Sequence, residues 1–209
     1  MTFESKYLIR WGIPGWVLIL WIAYAVLLLK GINPIEADLS QMSKSLGLLV
    51  SLAVVGVPLG YVMHQLYFGV AWVMNKSRNF DEIKNITAKK YPKKGGWGKD
   101  KNSDYFHCEF VWHMVLLNQD SETRTYIEGR YRHLLGTTHA LGSLFISSLI
   151  ALVITAFIVF THLSSFMNNN YFWIGLAIQL AVFLASMVNY KYYSDNVRVF
   201  QLKMLKEYI

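Results

Sequence analysis

The chain has 209 residues and a formal net charge of +7; 54% of its residues are hydrophobic and only 16% are charged. Soluble domains carry about a quarter charged residues, so this composition excludes an ordinary soluble globular domain. The charges are also segregated, because four stretches of about twenty residues contain no Asp, Glu, Lys or Arg, as in helices that cross a hydrocarbon core. The single cysteine, Cys108, excludes an internal disulfide framework and fits a reducing compartment.

These four apolar stretches predict four transmembrane helices. Each can cross about 30 Å of hydrocarbon at a rise of about 1.5 Å per residue, and backbone amides in lipid must be bonded within the helix itself. The predicted spans are 11–29, 46–73, 141–160 and 171–188. The segments between them are an N-terminus at 1–10, outer loops at 30–45 and 161–170, a basic helical segment at 74–140 and a helical tail at 189–209.

Lys and Arg residues predict the orientation of the chain. Segments 1–10, 74–140 and 189–209 carry 18 of the 20, whereas the two outer loops carry the other two. Loops rich in Lys and Arg stay in the cytoplasm. The predicted fold class is therefore an all-α integral protein of the cell membrane, the inner membrane in a bacterium. It has four transmembrane helices, cytoplasmic termini and a small helical cytoplasmic region formed by the middle segment and the tail.

The middle segment begins with a short predicted helix at 80–89. An irregular, flexible basic loop follows, because Pro92 and three nearby glycines interrupt regular structure. Ser103 or Asp104 is a candidate N-cap for a very apolar helix at 105–117, which needs a surface to cover it.

Two long helices are expected to leave the membrane. Asp120 or Ser121 is a candidate N-cap for a helix at 122–160 that includes the third span. The stretch 188–209 contains no Gly or Pro, so the fourth span is expected to continue into the tail.

Small residues spaced four apart predict where helices pack in lipid. The third and fourth spans form an antiparallel hairpin, so we expect their small-residue stripes to face each other. A stripe that faces a second protomer is the alternative, and a thin four-helix bundle favours a homo-oligomer. The stripe residues are Ser143, Ser147, Ala151 and Thr155 in the third span, Gly56 and Gly60 in the second, and Ala177, Ala181 and Ala185 in the fourth.

Gln179 lies at the centre of the fourth span. Its favoured role is a hydrogen bond between helices, and a ring of Gln179 side chains lining an oligomeric pore is the alternative. The spans lack the intramembrane charge that marks most ion-coupled transporters, which disfavours proton-coupled transport.

A polar cluster follows the basic loop: Glu109, His113, Arg130, Arg132, His133 and His139. Glu109 and His113, four residues apart, can reach one metal ion, but no spacing matches a zinc signature, so no metal, cofactor or catalytic residue is predicted. Arg132 and His139 form an R-x6-H pattern that resembles the motif of HEPN-type ribonucleases. A membrane-bound enzyme, metal-dependent or HEPN-like, that uses His113, His133 and His139 is therefore an alternative to a structural helix face with ion pairs.

Six lysines are concentrated in 89–101: Lys89, Lys90, Lys93, Lys94, Lys99 and Lys101. Basic residues beside a membrane are attracted to anionic lipid head groups by about 1 kcal/mol each. Anionic lipid is therefore the favoured partner, a soluble acidic protein is the next candidate, and nucleic acid is disfavoured.

In architecture alone, the chain is similar to the small four-span subunits of prokaryotic antiviral defence and CRISPR-accessory loci. The resemblance covers topology and no specific residue, so it is an analogy of fold. It implies a non-enzymatic, oligomeric membrane subunit. The expected roles are a pore-forming or membrane-perturbing effector, or an anchor and sensor for a soluble cytoplasmic partner; a small-solute transporter is a further alternative.

Overall fold

The computed structural model describes residues 5–33, 45–73 and 80–209, and all regular structure within these ranges is helical. Seven α-helices are α1 (Ser5–Leu29), α2 (Ser45–Tyr67), α3 (Asp81–Thr87), α4 (Lys101–Leu117), α5 (Ser121–Thr161), α6 (Leu163–Met167) and α7 (Asn170–Tyr208). A π-helical turn, Phe68–Val73, extends α2. Most of the predicted outer loop 30–45, the first residues of 1–10 and the first residues of 74–140 lie outside the described residues.

The chain divides into two compact units. The first, here called the apolar unit, comprises Met1–Val73 and His139–Tyr190, and the second, called the basic unit, comprises Met74–Thr138 and Lys191–Ile209. Both α5 and α7 are unbroken helices that contribute residues to each unit.

The apolar unit packs α1, α2, α5 and α7 in alternating directions. Trp11 of α1 lies beside Gly60 and Tyr61 of α2, whereas Gly15 of α1 lies beside Gly56, so the two helices run antiparallel. His64 of α2 bonds to Ser143 of α5, and residues 155 and 179 bond between α5 and α7. An apolar cluster of Leu18, Trp21, Met63 and Ala151 fills part of this bundle.

Among the described residues, three helices are long and apolar enough to cross a membrane: Arg10–Leu29, Ser121–Thr161 and Asn170–Tyr208. These contain the first, third and fourth predicted spans, so an all-helical chain with three helices that could span a membrane is confirmed. The second predicted span contributes a shorter apolar stretch, Val54–Val70, to the described residues. Large side chains such as Phe157 and Phe160 are 69% and 84% exposed, and hydrocarbon solvates such a surface without cost.

Gly15 and Gly60 allow the backbones of α1 and α2 to come into direct contact. A Cβ atom at Gly60 would overlap the carbonyl oxygen of Trp11, and one at Gly15 would overlap the carbonyl oxygen of Gly56. In lipid, where apolar side chains gain little by leaving their solvent, such close contact is a principal source of helix association.

The basic unit has a core of its own. Trp112 of α4 is 1% exposed and contacts Tyr131 of α5 with ring centroids 5.0 Å apart, and Phe200 of α7 at 6.5 Å. Val197 and Leu205, which belong to the predicted tail, are buried in the same cluster. The predicted apolar helix is therefore covered on one side by α5 and by the tail.

The helices predicted around the basic loop are confirmed, with one correction at a cap. The helix predicted at 80–89 is α3, and α5 and α7 extend beyond the spans as expected. The cap predicted at Ser103 or Asp104 is wrong, because α4 begins at Lys101 and Asp100 accepts the amide hydrogen bond of Asn102 at 3.0 Å. Asp104 cannot act as the cap because its carboxylate turns inward to Lys93.

The expectation that the stripes of α5 and α7 face each other is also wrong. Ala177, Ala181 and Ala185 are exposed on α7. The buried face of α7 instead presents Gln179 and Ser186, which are 1% and 2% exposed. Beside this face Phe183 stacks on Phe145 of α5 at 5.4 Å, so larger side chains fill the contact that alanines were expected to make.

Candidate functional site

A line of small and hydroxyl-bearing residues runs along the inner face of α5. Ser143, Ser147 and Ala151 are fully buried, and Thr155 is 8% exposed. The Ser147 hydroxyl donates to the carbonyl oxygen of Pro14 in α1, and the Ser143 hydroxyl donates to the His139 carbonyl oxygen at 2.7 Å. These hydroxyls are therefore used in contacts inside one bundle.

Gln179 completes this line from α7. Its Nε2 atom donates to Oγ1 of Thr155 at 3.3 Å, and the side chain is 1% exposed. This is the interhelical hydrogen bond that the sequence favoured. A pore lined by Gln179 would require the side chain to leave this contact and the bundle to open.

Two histidines and a tyrosine extend the polar line at the α2–α5 contact. Nδ1 of His64 lies 2.9 Å from Oγ of Ser143, and the Tyr67 hydroxyl lies 3.2 Å from Nδ1 of His139. The Ser143 hydroxyl therefore lies within hydrogen-bond distance of both the His139 carbonyl oxygen and Nδ1 of His64. The two imidazole centroids are 5.8 Å apart.

Sequence patterns contain only weak signals for this group. They favour an interhelical hydrogen bond for His64, place His139 in the polar cluster of the middle segment and do not single out Tyr67. Gly142 of α5 packs against the ring of Tyr67 in α2, and a Cβ atom at this position would overlap that ring. A glycine in α5 is therefore the sequence feature that indicates this close contact.

The candidate enzyme cluster is divided among separate surroundings. His113, Arg130 and His133 are exposed in the basic unit, whereas His139 is 7% exposed in the apolar unit. Throughout the described ranges, no group of three or more His, Cys, Asp or Glu side chains has the arrangement to hold a metal ion.

The remaining members of that cluster make structural contacts. Glu109 accepts a hydrogen bond from the Tyr131 hydroxyl at 3.1 Å and one from Nε2 of Gln201 at 3.5 Å, which joins α4 to α5 and α7. Arg132 forms an i,i+4 ion pair with Glu128 on the surface of α5, the kind of pair that the sequence favoured.

These contacts also change proton affinities in the basic unit. Burial raises the pKa of the Cys108 thiol to about 12, with a smaller contribution from the neighbouring Glu109 carboxylate. Burial, and then the same carboxylate, raises the pKa of Tyr131. Both groups are therefore protonated at neutral pH, which suits core positions and excludes a reactive thiolate at Cys108.

The basic loop folds back onto α4 around one buried ion pair. Lys93 and Asp104 pair with side chains that are 7% and 3% exposed, and the other Asp104 oxygen accepts from the Gly98 amide at 2.8 Å. The ring of Trp97 lies edge-to-face on His107 at 5.1 Å. Sequence reasoning identified the loop but missed this anchor.

The loop lysines consequently differ in what they can bind. Lys93 is committed to Asp104, so its prediction as a lipid or partner contact is wrong. The other five, Lys89, Lys90, Lys94, Lys99 and Lys101, are exposed. Among them, Lys90 also donates to the carbonyl oxygen of Ile209 at 3.4 Å.

No protein-family model, curated protein or solved structure matches this chain.

Proposed function

We propose that the chain is a non-enzymatic, oligomeric subunit of the cell membrane that anchors and senses a soluble cytoplasmic partner. It has four spans, with both termini and the basic unit in the cytoplasm. The Lys and Arg distribution supports this orientation. The antiparallel packing of α2 on α1 supports α2 as a span beside the three longer apolar helices.

One observation carries the anchoring role: the basic unit has its own buried core. Residues of α4, α5 and α7, including Trp112, Leu134 and Leu205, are 1% exposed or less. A membrane anchor needs such a folded module to present to a partner. Helices α5 and α7 each contribute residues to both units.

The exposed stripe on α7 supports the oligomer. Ala177, Ala181 and Ala185 leave a flat helix surface uncovered in a single chain. Small-residue surfaces of this kind allow close helix packing in lipid, so we assign this stripe to contact with a second copy.

A photo-reactive amino acid placed at exposed His133 tests the anchoring role in intact cells. We expect a discrete adduct with one soluble protein, and Arg130→Glu on the same helix should weaken it, whereas Lys206→Glu on α7 provides a charge-matched control. A probe at Val153, 61% exposed on the apolar unit, controls for nonspecific capture. Absence of any soluble adduct at several exposed positions of the basic unit would contradict the proposal.

The buried polar line gives the pore hypothesis its one supporting observation. Hydroxyls at 143, 147 and 155 and the Gln179 amide form a polar strip at membrane depth, which an opened bundle could hydrate. Ion leakage from liposomes, altered by Gln179→Leu and by Ser147→Ala, would favour a pore. Liposomes that show no ion leakage under every trigger tested would contradict the pore and favour the anchoring role. Antiviral defence is the biological setting that the resemblance in topology suggests.

A further inference from the structure

Helix α4 is apolar on two opposite faces. The inner face is buried in the core of the basic unit, with Val111, Trp112 and Val115 each 2% exposed or less. On the outer face, Phe106, Phe110 and Leu117 are 68%, 52% and 64% exposed.

The outer residues form one continuous ridge. At about 100° per residue, positions 106, 110, 113 and 117 fall within one narrow arc of the helix. The His107 ring extends the ridge by stacking on Phe110, with centroids 5.8 Å apart and planes 26° apart. Three large apolar side chains in a line, with one histidine between them, are more than the scattered exposed residues of ordinary surfaces.

Positive charge surrounds the start of this ridge. Lys94 and Lys99 are exposed in the loop before α4, and Lys101 is exposed in its first turn. Lys93 is instead paired with Asp104. Glu109, the acidic residue within α4 nearest the ridge, is bonded to Tyr131 and Gln201, so Lys94 and Lys99 give the start of the ridge a positive charge.

We propose that the outer face of α4 docks onto the head-group layer of an anionic lipid bilayer. The aromatic and aliphatic side chains of the ridge can enter the boundary with the acyl chains, and the neighbouring lysines can contact the lipid phosphates. A second copy of the same face carries the same net charge and is disfavoured by repulsion. This inference goes beyond the anchoring role, and it holds on either side of the membrane.

The test uses the full chain with a nitroxide spin label at His113→Cys, which keeps all three ridge residues. Cys108 is 1% exposed and stays unlabelled, so its protection also reports correct folding. Arg130→Cys, exposed on α5, is the matched control. Each protein is reconstituted in vesicles of phosphatidylcholine alone or mixed with phosphatidylglycerol.

In the anionic vesicles, the label at 113 should gain collisions with oxygen, which concentrates in lipid, and lose collisions with a water-soluble nickel chelate. The control at 130 should stay accessible to the chelate in both lipids. The double substitution Lys94→Gln and Lys99→Gln, which removes two positive charges, should make the label at 113 accessible to the chelate again in anionic vesicles.

Three results would overturn the proposal. The first is that the label at 113 stays accessible to the chelate in anionic vesicles. The second is spin–spin broadening that places a second copy on the face. The third is that the label is buried in lipid to the same extent without phosphatidylglycerol or without the two lysines.

Discussion

Asp104 shows how much a single side chain contributes to the basic unit. Its carboxylate forms an ion pair with Lys93 and accepts a hydrogen bond from the Gly98 amide, and both side chains of the ion pair are buried. Removing one partner of a buried pair leaves an uncompensated charge and costs about 3–5 kcal/mol. Asp104→Ala should therefore destabilise the basic unit by about that amount, measured as a lower midpoint of thermal unfolding in detergent and as faster proteolysis within 88–100.

A surface pair provides the comparison for Asp104. Glu128 and Arg132 form an ion pair with side chains 40% and 75% exposed, and such pairs contribute about 0–1 kcal/mol. Glu128→Gln should thus leave the unfolding midpoint nearly unchanged. Equal effects of Asp104→Ala and Glu128→Gln would contradict a structural role for the buried pair.

Cys108 allows the folding of the basic unit to be followed directly. The thiol is 1% exposed and burial raises its pKa to about 12, so thiolate is scarce at neutral pH. We expect native protein to resist maleimide and to react fully once denatured. An engineered cysteine at exposed Arg130 should react at once, and rapid labelling of Cys108 in native protein would show that the core assigned to α4 does not persist.

Among the helices, the start of α5 depends on Asp120. Its Oδ1 atom accepts the amide hydrogen bonds of Glu122 and Thr123, both at 3.0 Å. The hydrogen bonds from Thr123 are the largest cause that lowers the pKa of Asp120 below its ordinary 3.8. The cap predicted at Asp120 or Ser121 is thereby assigned to Asp120.

The sign of the pH effect follows from that lowered pKa. The ionised cap stabilises the folded state fully above the ordinary pKa of 3.8, and this stability is lost as the pH falls through the lower folded value. Acid unfolding monitored by circular dichroism should therefore begin at higher pH in Asp120→Ala than in wild type at the same temperature. Asp120→Asn, which retains a capping oxygen without the charge, should be close to wild type at low pH.

Sequence patterns predicted helices well and contacts between them poorly. The breaks at Pro92 and the following glycines, the absence of proline in 122–160 and the absence of both glycine and proline in 188–209 indicate the helices through local chemistry. Which face of α7 is buried depends on partners far along the chain, such as Phe145 for Phe183, and small-residue spacing does not contain that information. The Lys93–Asp104 pair was missed for a similar reason, since only a loop that folds back joins residues eleven positions apart.

The exposed face of α7 makes the oligomer testable. A large ring at Ala181 would hold neighbouring helices apart where close backbone approach is needed. Ala181→Phe should reduce the oligomer relative to monomer in cross-linking and detergent sedimentation. Leu180→Phe enlarges a 42%-exposed neighbour on another arc of the same helix and should leave the distribution unchanged. Equal loss in both variants would argue against an interface through the alanine stripe.

At the scale of the whole molecule, charge and apolar surface are distributed differently between the two units. The apolar unit exposes large side chains such as Val153 and Phe157 and keeps its hydroxyls inside, whereas the basic unit keeps Trp112 inside and exposes most of the lysines. The polar interior of the apolar unit is hydrogen-bonded between helices, as backbone and side-chain groups in hydrocarbon require. The two units therefore differ in the kinds of side chain that they bury and expose.

Orientation is the whole-molecule property on which the anchoring role depends. With four spans and the lysine-rich segments inside, the loop after α6 faces outward and the loop before α4 faces the cytoplasm. In intact cells, a membrane-impermeant maleimide should label Asn168→Cys, exposed in the first loop. Lys94→Cys should react only after the membrane is opened, and native Cys108 should remain unlabelled in both conditions. Labelling of position 94 but not of position 168 in intact cells would reverse the orientation. Labelling of both positions would require an even number of crossings between them and would contradict α5 as a span.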